Sequence, residues 1–239
     1  MTEKSSNFEP AYLQTDLKAK KEEAVESLKN CQLCPRECKV NRLEEEIGYC
    51  QTGRWSIVSS YGPHFGEEPE LVGTNGSGTI FFGHCNLNCC FCQNYDISQL
   101  GHGQVTKANE LTNMMLALQK MGCHNINLVS PTHVVAQFIE ALASAKDKGL
   151  RLPVVYNSGG YDSVSTLKFL EGLIDIYMPD AKYSDSELAK KYSLAPDYFE
   201  INKQALKEMH RQVGDLITDN RGVAGRGILI RHLVLPNWI

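Results

Sequence analysis

The sequence contains no run of about 18 apolar residues, so no membrane-spanning helix is expected. It has no block of basic residues, and its formal net charge is -4, which argues against a nucleic-acid surface. The first residues, MTEKSSNFEPAYLQTD, lack the apolar centre of a signal peptide. No internal repeat is visible, which excludes solenoids and propellers. With 42% hydrophobic and 22% charged residues over 239 positions, the composition is that of one ordinary globular core with room for a small appendage. A cytoplasmic protein is expected, with no nucleic-acid or membrane partner.

Cysteine is the residue present in excess. In a reducing compartment, nine cysteines are better explained by metal than by disulfides. Cys31, Cys34, Cys38 and Cys50 are spaced C-x2-C-x3-C-x11-C, and Cys85, Cys89 and Cys92 are spaced C-x3-C-x2-C. Cys90 and Cys123 fall outside both sets and read as buried small hydrophobes. Neighbours in an extended loop point opposite ways, so Cys89 and Cys90 are poor candidates for one ion. Three thiolates on one loop suit three irons of a [4Fe-4S] cube, with the fourth iron open. The four N-terminal thiols suit either zinc or a second iron-sulfur cluster, and their short segment has little core of its own.

From Thr79 onward, apolar strands alternate with helical patterns. Strands are expected at GTIFFGH, NINLV, LPVVYN, IDIYMPDAKY and GILIRHLVLPN. Helices are expected at ELTNMMLALQKMG, THVVAQFIEALASAKDKG, SVSTLKFLEG and EINKQALKEMHRQVG, with a charged helix at residues 16–30. Residues 54–78 read as loop with a short strand at WSIVSSY. Unalternating strands between helices predict a parallel sheet, either doubly wound or closing towards a barrel. Polar clusters follow each strand, at Cys85–Cys92, Ser130–His133, Asn157–Gly160 and Asp180–Lys182. Sites in both architectures lie at such carboxyl ends. His64, Glu67 and Glu68, ahead of the first of these strands, read as solvated loop charge. His84 reads as packing, and Arg231 and His232 receive no firm role.

C-x3-C-x2-C with Phe91 before its last cysteine resembles the signature of the radical S-adenosylmethionine (radical SAM) superfamily. The stretch YGPHFGEEPELVGTNGSGTIFFGHCNLNCCFCQNYDIS is similar to the PflX-type relatives of pyruvate formate-lyase activating enzyme. So are CPRECKVNR with GYC, YMPDAKY and RHLVLPN. The resemblance covers roughly residues 28–237. It implies a partial (β/α) barrel over residues 75–239, following a helix and cysteine-rich metal module over residues 1–60. It also implies a sixth strand and helix beyond LPNWI, without which a strand edge is exposed.

Further implications concern chemistry. S-adenosylmethionine chelates the open iron, and one electron from a flavodoxin or ferredoxin cleaves it to methionine and a 5′-deoxyadenosyl radical. The substrate is then a backbone glycine of a glycyl radical enzyme, or alternatively a small molecule or peptide. A non-catalytic zinc or iron-sulfur scaffold is the reading from outside this class. By the same resemblance Phe91 meets the adenine. Ser130 and Thr132 stand where the superfamily often has Gly-Gly-Glu. Asn157, Ser158 and Gly159, with Asp180 and Lys182, flank the cofactor. A monovalent cation is implied between Asn157, Ser158, Asp180 and the Met178 carbonyl, with Asn157 in the place of the family's aspartate.

Overall fold

The structure, a computed structural model, describes residues 8–234. Helix α1 (Leu17–Glu26) is capped by Asp16, whose carboxylate accepts the Lys18 N–H, and it buries Leu17 and Ala24 against the core. The cysteine-rich stretch that follows has little regular structure. Strand β1 (Ser56–His64) leads through the short helix α2 (Pro69–Val72) to β2 (Ser77–Phe82), its antiparallel neighbour. Next come α3 (Tyr95–Ser98), β3 (Gln104–Thr106), α4 (Ala108–Lys120), β4 (Ile126–Val129) and α5 (Val135–Asp147). The chain continues through β5 (Val154–Ser158), α6 (Val164–Phe169), β6 (Ile176–Ala181), α7 (Ser186–Ser193) and α8 (Tyr198–Val213). Strands β7 (Ile217–Thr218), β8 (Ala224–Ile228) and β9 (Arg231–His232) complete the described chain.

Among the described residues the strands form one mixed, nine-stranded sheet that does not close, in the order β3-β1-β2-β4-β5-β6-β8-β7, with β9 also on β6. Strands β2, β4, β5, β6 and β8 run parallel, as their apolar sequences require. Helices α4, α5, α6 and α8 cover one face through Leu111, Met115, Phe138, Leu142, Leu167, Ala205 and Met209. In α8 the buried residues Tyr198, Asn202, Ala205, Met209 and Val213 recur at helical spacing, and Gly214, with φ of 73°, ends the helix. No helix among the described residues is long and apolar enough to cross a membrane.

Three expectations need correction. Residues 54–78 are not mostly loop: β1 extends over nine residues and pairs with both β2 and β3. The expected fifth strand is two, β8 and β9, which pair with β6 at Ile176–Tyr177 and at Asp180–Ala181 respectively. At Gly227, inside β8 with φ of 120°, a Cβ would lie 2.3 Å from the Asp215 carbonyl oxygen, so this strand position calls for glycine. The last residues of that expected strand, 235–237, lie outside the described ones, as does any edge beyond LPNWI. Helix α7, which had no counterpart in the sequence reading, packs beside the cysteine loop.

Candidate active site

The site grows from the carboxyl ends of β2, β4, β5 and β6. After β2, His84 adopts a left-handed backbone (φ 64°), and after β4, Ser130 does the same (φ 57°). Such conformations in non-glycine residues concentrate at functional turns. The His84 ring lies against Gly101, where a Cβ would be only 2.3 Å from its Cε1, so His84 packs as expected. His133, fully buried, donates Nε2–H to the Gly83 carbonyl at 2.9 Å and ties the loop after β4 to the end of β2.

The Cys85–Cys92 loop rests on the end of α7. Backbone N–H groups of Asn88 and Cys90 donate to the carbonyls of Ser193 and Tyr192 at 3.3 and 2.9 Å. Buried Ser193 donates its hydroxyl to Cys89 Sγ at 2.9 Å, which leaves the Tyr183 hydroxyl to donate to Ser193 at 2.7 Å. Cys85 Sγ accepts the Leu87 N–H at 3.4 Å, and Cys92 Sγ lies 3.1 Å from Ser98 Oγ. Burial pushes the Cys85 thiol up to about 12 and raises Cys89, the latter partly offset by the Lys182 ammonium. The reading of Cys90 as buried is overturned: it is exposed, while Cys89 beside it is buried, so the two do point apart. Cys123 is buried, as expected. Phe91 makes an edge-to-face contact with Tyr183 at 6.3 Å between centroids.

Below the loop is a polar floor. Asp162, 2% exposed, accepts from the hydroxyls of Thr132, Tyr156 and Ser158 at 2.7, 3.0 and 2.6 Å. Burial raises its carboxyl, and the three hydroxyls oppose that. Thr132 is thus committed to Asp162 and does not cap α5, while Ser158 Oγ also accepts the Gly160 N–H. Gly160 is left-handed (φ 75°), and a Cβ there would lie 2.0 Å from the Asp180 carbonyl. At Gly159 a Cβ would meet Leu87 at 3.0 Å. Asn202 and Tyr198, on α8, join the two loops: Asn202 donates to the carbonyls of Gly160 and Asp180, and the Tyr198 hydroxyl lies 2.9 Å from those of Gly159 and Asp180.

At the rim, Asp180 faces Lys182 on one side and Arg231 on the other. Lys182 and Asp180 side chains are only 12% and 18% exposed, so this is no surface pair. Arg231 also donates to Asn157 Oδ1 at 2.7 Å, so a guanidinium lies between the oxygens of Asn157 and Asp180. Glu67 is not solvated: its carboxyl is 8% exposed, lies 3.5 Å from Asn157 Nδ2, and faces His64 at 3.3 Å. Asn157 and Met178 are lateral partners of β5 and β6, and Ser130 N–H donates to the Asn157 carbonyl. His232 donates Nδ1–H to the Ala181 carbonyl at 2.6 Å and lines a cavity of roughly 330 Å³ with Lys182, Tyr183 and Phe199.

The four N-terminal cysteines line one small cavity together with Arg42 and His133. Among the described residues, no three His, Cys, Asp or Glu side chains stand close enough to grip one ion as placed. The donors at the Cys85–Cys92 loop otherwise fit an iron-sulfur cluster. They are three thiols on one loop, desolvated, hydrogen-bonded from Ser193 and Leu87, with a cation nearby. Sequence reasoning missed Asp162, Ser193, Tyr198, Asn202 and the inward turn of Glu67. Only Asp162 had a local signal, following Tyr161 in the cluster after β5.

Fold and site define a class: an open α/β sheet whose carboxyl edge carries three cysteines beside buried charge. Residues 79–227, more than half of the chain, match the model of the radical SAM superfamily, and the chain belongs to that superfamily. Over 231 residues, 93% of this chain, it is 34% identical to an uncharacterized protein of Methanocaldococcus jannaschii, and it spans 62% of that protein's length.

Proposed function

We propose that Cys85, Cys89 and Cys92 hold a [4Fe-4S] cluster and that the chain activates a glycyl radical enzyme by removing hydrogen from a backbone glycine. The observation that carries the first part is the triad loop, desolvated and pinned by Ser193 at the carboxyl edge of the sheet. The second part rests on the sequence resemblance to pyruvate formate-lyase activating enzyme. When bound, the cluster supplies the electron that splits S-adenosylmethionine into methionine and a 5′-deoxyadenosyl radical.

In this reading Phe91 contacts the adenine, and Ser130, Asn157, Gly159, Asp180 and Lys182 orient the cofactor. Ser158 contributes through its backbone, because its hydroxyl is committed to Asp162. Arg231 supplies, between Asn157 and Asp180, the positive charge for which a monovalent cation was expected. The rigid floor of Asp162, Tyr198 and Asn202 keeps these groups in register, which is what positioning chemistry demands. A flavodoxin or ferredoxin provides the electron.

The test is anaerobic co-expression with candidate glycyl radical enzymes, read by electron paramagnetic resonance. A glycyl doublet that depends on intact Cys89 supports the assignment. No doublet with any candidate, together with turnover on a small molecule or peptide, replaces it.

A further inference from the structure

Outside the catalytic loop, the structure carries a buried cation with no counter-charge. Arg42 is 1% exposed. Its Nε donates to the Gly53 carbonyl at 3.0 Å and its Nη1 to the His133 carbonyl at 2.8 Å, while Nη2 has no hydrogen-bond partner among the described residues. Among the described residues no carboxylate lies within ion-pair distance of it. A desolvated guanidinium without an anion is costly. The one remaining neighbour of anionic potential is sulfur: Arg42 Nη1 lies 3.6 Å from Cys31 Sγ. Arg42 lines the cavity shared by Cys31, Cys34, Cys38 and Cys50.

That cavity has free space of about 10 Å³, close to a single water-sized site. That size is in keeping with one ion. The backbone around it is shaped for close approach by sulfur. At Gly48 a Cβ would lie 2.7 Å from Cys38 Sγ, and the Tyr49 N–H donates to that same sulfur at 3.3 Å. A divalent ion bound to four thiolates carries two net negative charges, one of which the guanidinium offsets.

We propose that Cys31, Cys34, Cys38 and Cys50 bind a single zinc ion, with Arg42 as the buried counter-charge of the zinc-thiolate centre. The site has a visible consequence for the rest of the molecule. Arg36, in the Cys34–Cys38 knuckle, donates to the carbonyls of Asn86 and Leu194 at 3.0 and 2.8 Å and stacks on Tyr49 at 3.9 Å. The zinc knuckle thus braces the loop that begins at Cys85. The inference does not depend on the radical chemistry.

The test uses the full chain, purified without oxygen and exposed to zinc, with metals counted by elemental analysis. One zinc per chain is expected. It is retained when Cys85, Cys89 and Cys92 are all replaced by Ala, and lost in a Cys34→Ser, Cys50→Ser double variant whose triad still takes up iron. Arg42→Met, of similar length but uncharged, is expected to weaken zinc about 10-fold to 100-fold in competition with a chelator, the usual effect of removing an outer partner. Should the cysteine variants not fold, wild-type protein loaded with cobalt serves instead. Tetrahedral cobalt bands with thiolate charge transfer, displaced by zinc, support the site. Zinc retained in the double variant, a second iron-sulfur cluster in that module, an Arg42→Met protein with unchanged zinc affinity, or cobalt without tetrahedral thiolate bands overturns the proposal.

Discussion

The Ser193 hydroxyl donates to the sulfur of Cys89 at 2.9 Å across 104 residues of sequence. This bond joins the end of α7 to the centre of the cysteine loop, and Tyr183 fixes the hydroxyl from behind. Ser193→Ala is expected to leave the iron content near wild type but to slow S-adenosylmethionine cleavage about 10-fold to 100-fold, as lost partners of metal ligands generally do. Iron analysis and 5′-deoxyadenosine yield, measured on the same sample, check it.

Arg231 provides a second expectation. Because its guanidinium already lies between Asn157 and Asp180, wild-type activity should not respond to exchange of potassium for a bulky organic cation. Arg231→Ala should raise the KM for S-adenosylmethionine about tenfold, on the order of 1.4 kcal/mol, and make activity depend on potassium. Initial rates in the two salts decide it.

Gly160→Ala places a Cβ 2.0 Å from the Asp180 carbonyl and 2.4 Å from Asn202 Nδ2, at φ of 75°. The backbone strain alone is about 1–3 kcal/mol. A lowered urea midpoint, together with loss of cofactor binding by calorimetry, is the expected result.

Much of the sheet was legible. Strands β4, β5 and β6 are largely apolar without alternation because helices cover one face and, on β5 and β6, Val155, Ile176 and Met178 pack in a second apolar cluster with Leu71 and Ala224. Helix α7 escaped because SDSELAKKYS is mostly polar and buries only Ala189 and Ser193. The division of GILIRHLVL into β8 and β9 lies in their pairing with separate stretches of β6, Ile176–Tyr177 and Asp180–Ala181, which an apolar run does not reveal. At the site, spacing singled out the cysteines as candidates. It did not identify the residues that hold them. Ser193, Tyr198, Asn202 and Glu67 come from distant segments and meet only in the folded chain. Cys90 was misjudged because free cysteines are so often buried, and here the neighbouring Cys89 takes the inward direction.

Asp175 gives a pH signature unrelated to the metal sites. Its carboxylate accepts the N–H groups of Val154 and Ala11 at 2.8 and 2.7 Å, yet burial raises its pKa from 3.8 to about 6. The folded protein therefore holds this proton more tightly than the unfolded chain. Its stabilising contribution is fully present below about pH 3.8 and is lost as pH rises through about 6. Asp175→Asn should flatten that part of the stability profile. Urea denaturation of both proteins between pH 4 and pH 7 is the check, and parallel curves would remove Asp175 as the source.

The most direct measurement is made on anaerobically reconstituted protein mixed with dithionite and S-adenosylmethionine. The account predicts close to four irons on the Cys85, Cys89 and Cys92 loop and formation of 5′-deoxyadenosine, which disappears in Cys89→Ala. Colourless protein with tetrahedral metal on that loop, or equal product from Cys89→Ala, would contradict it.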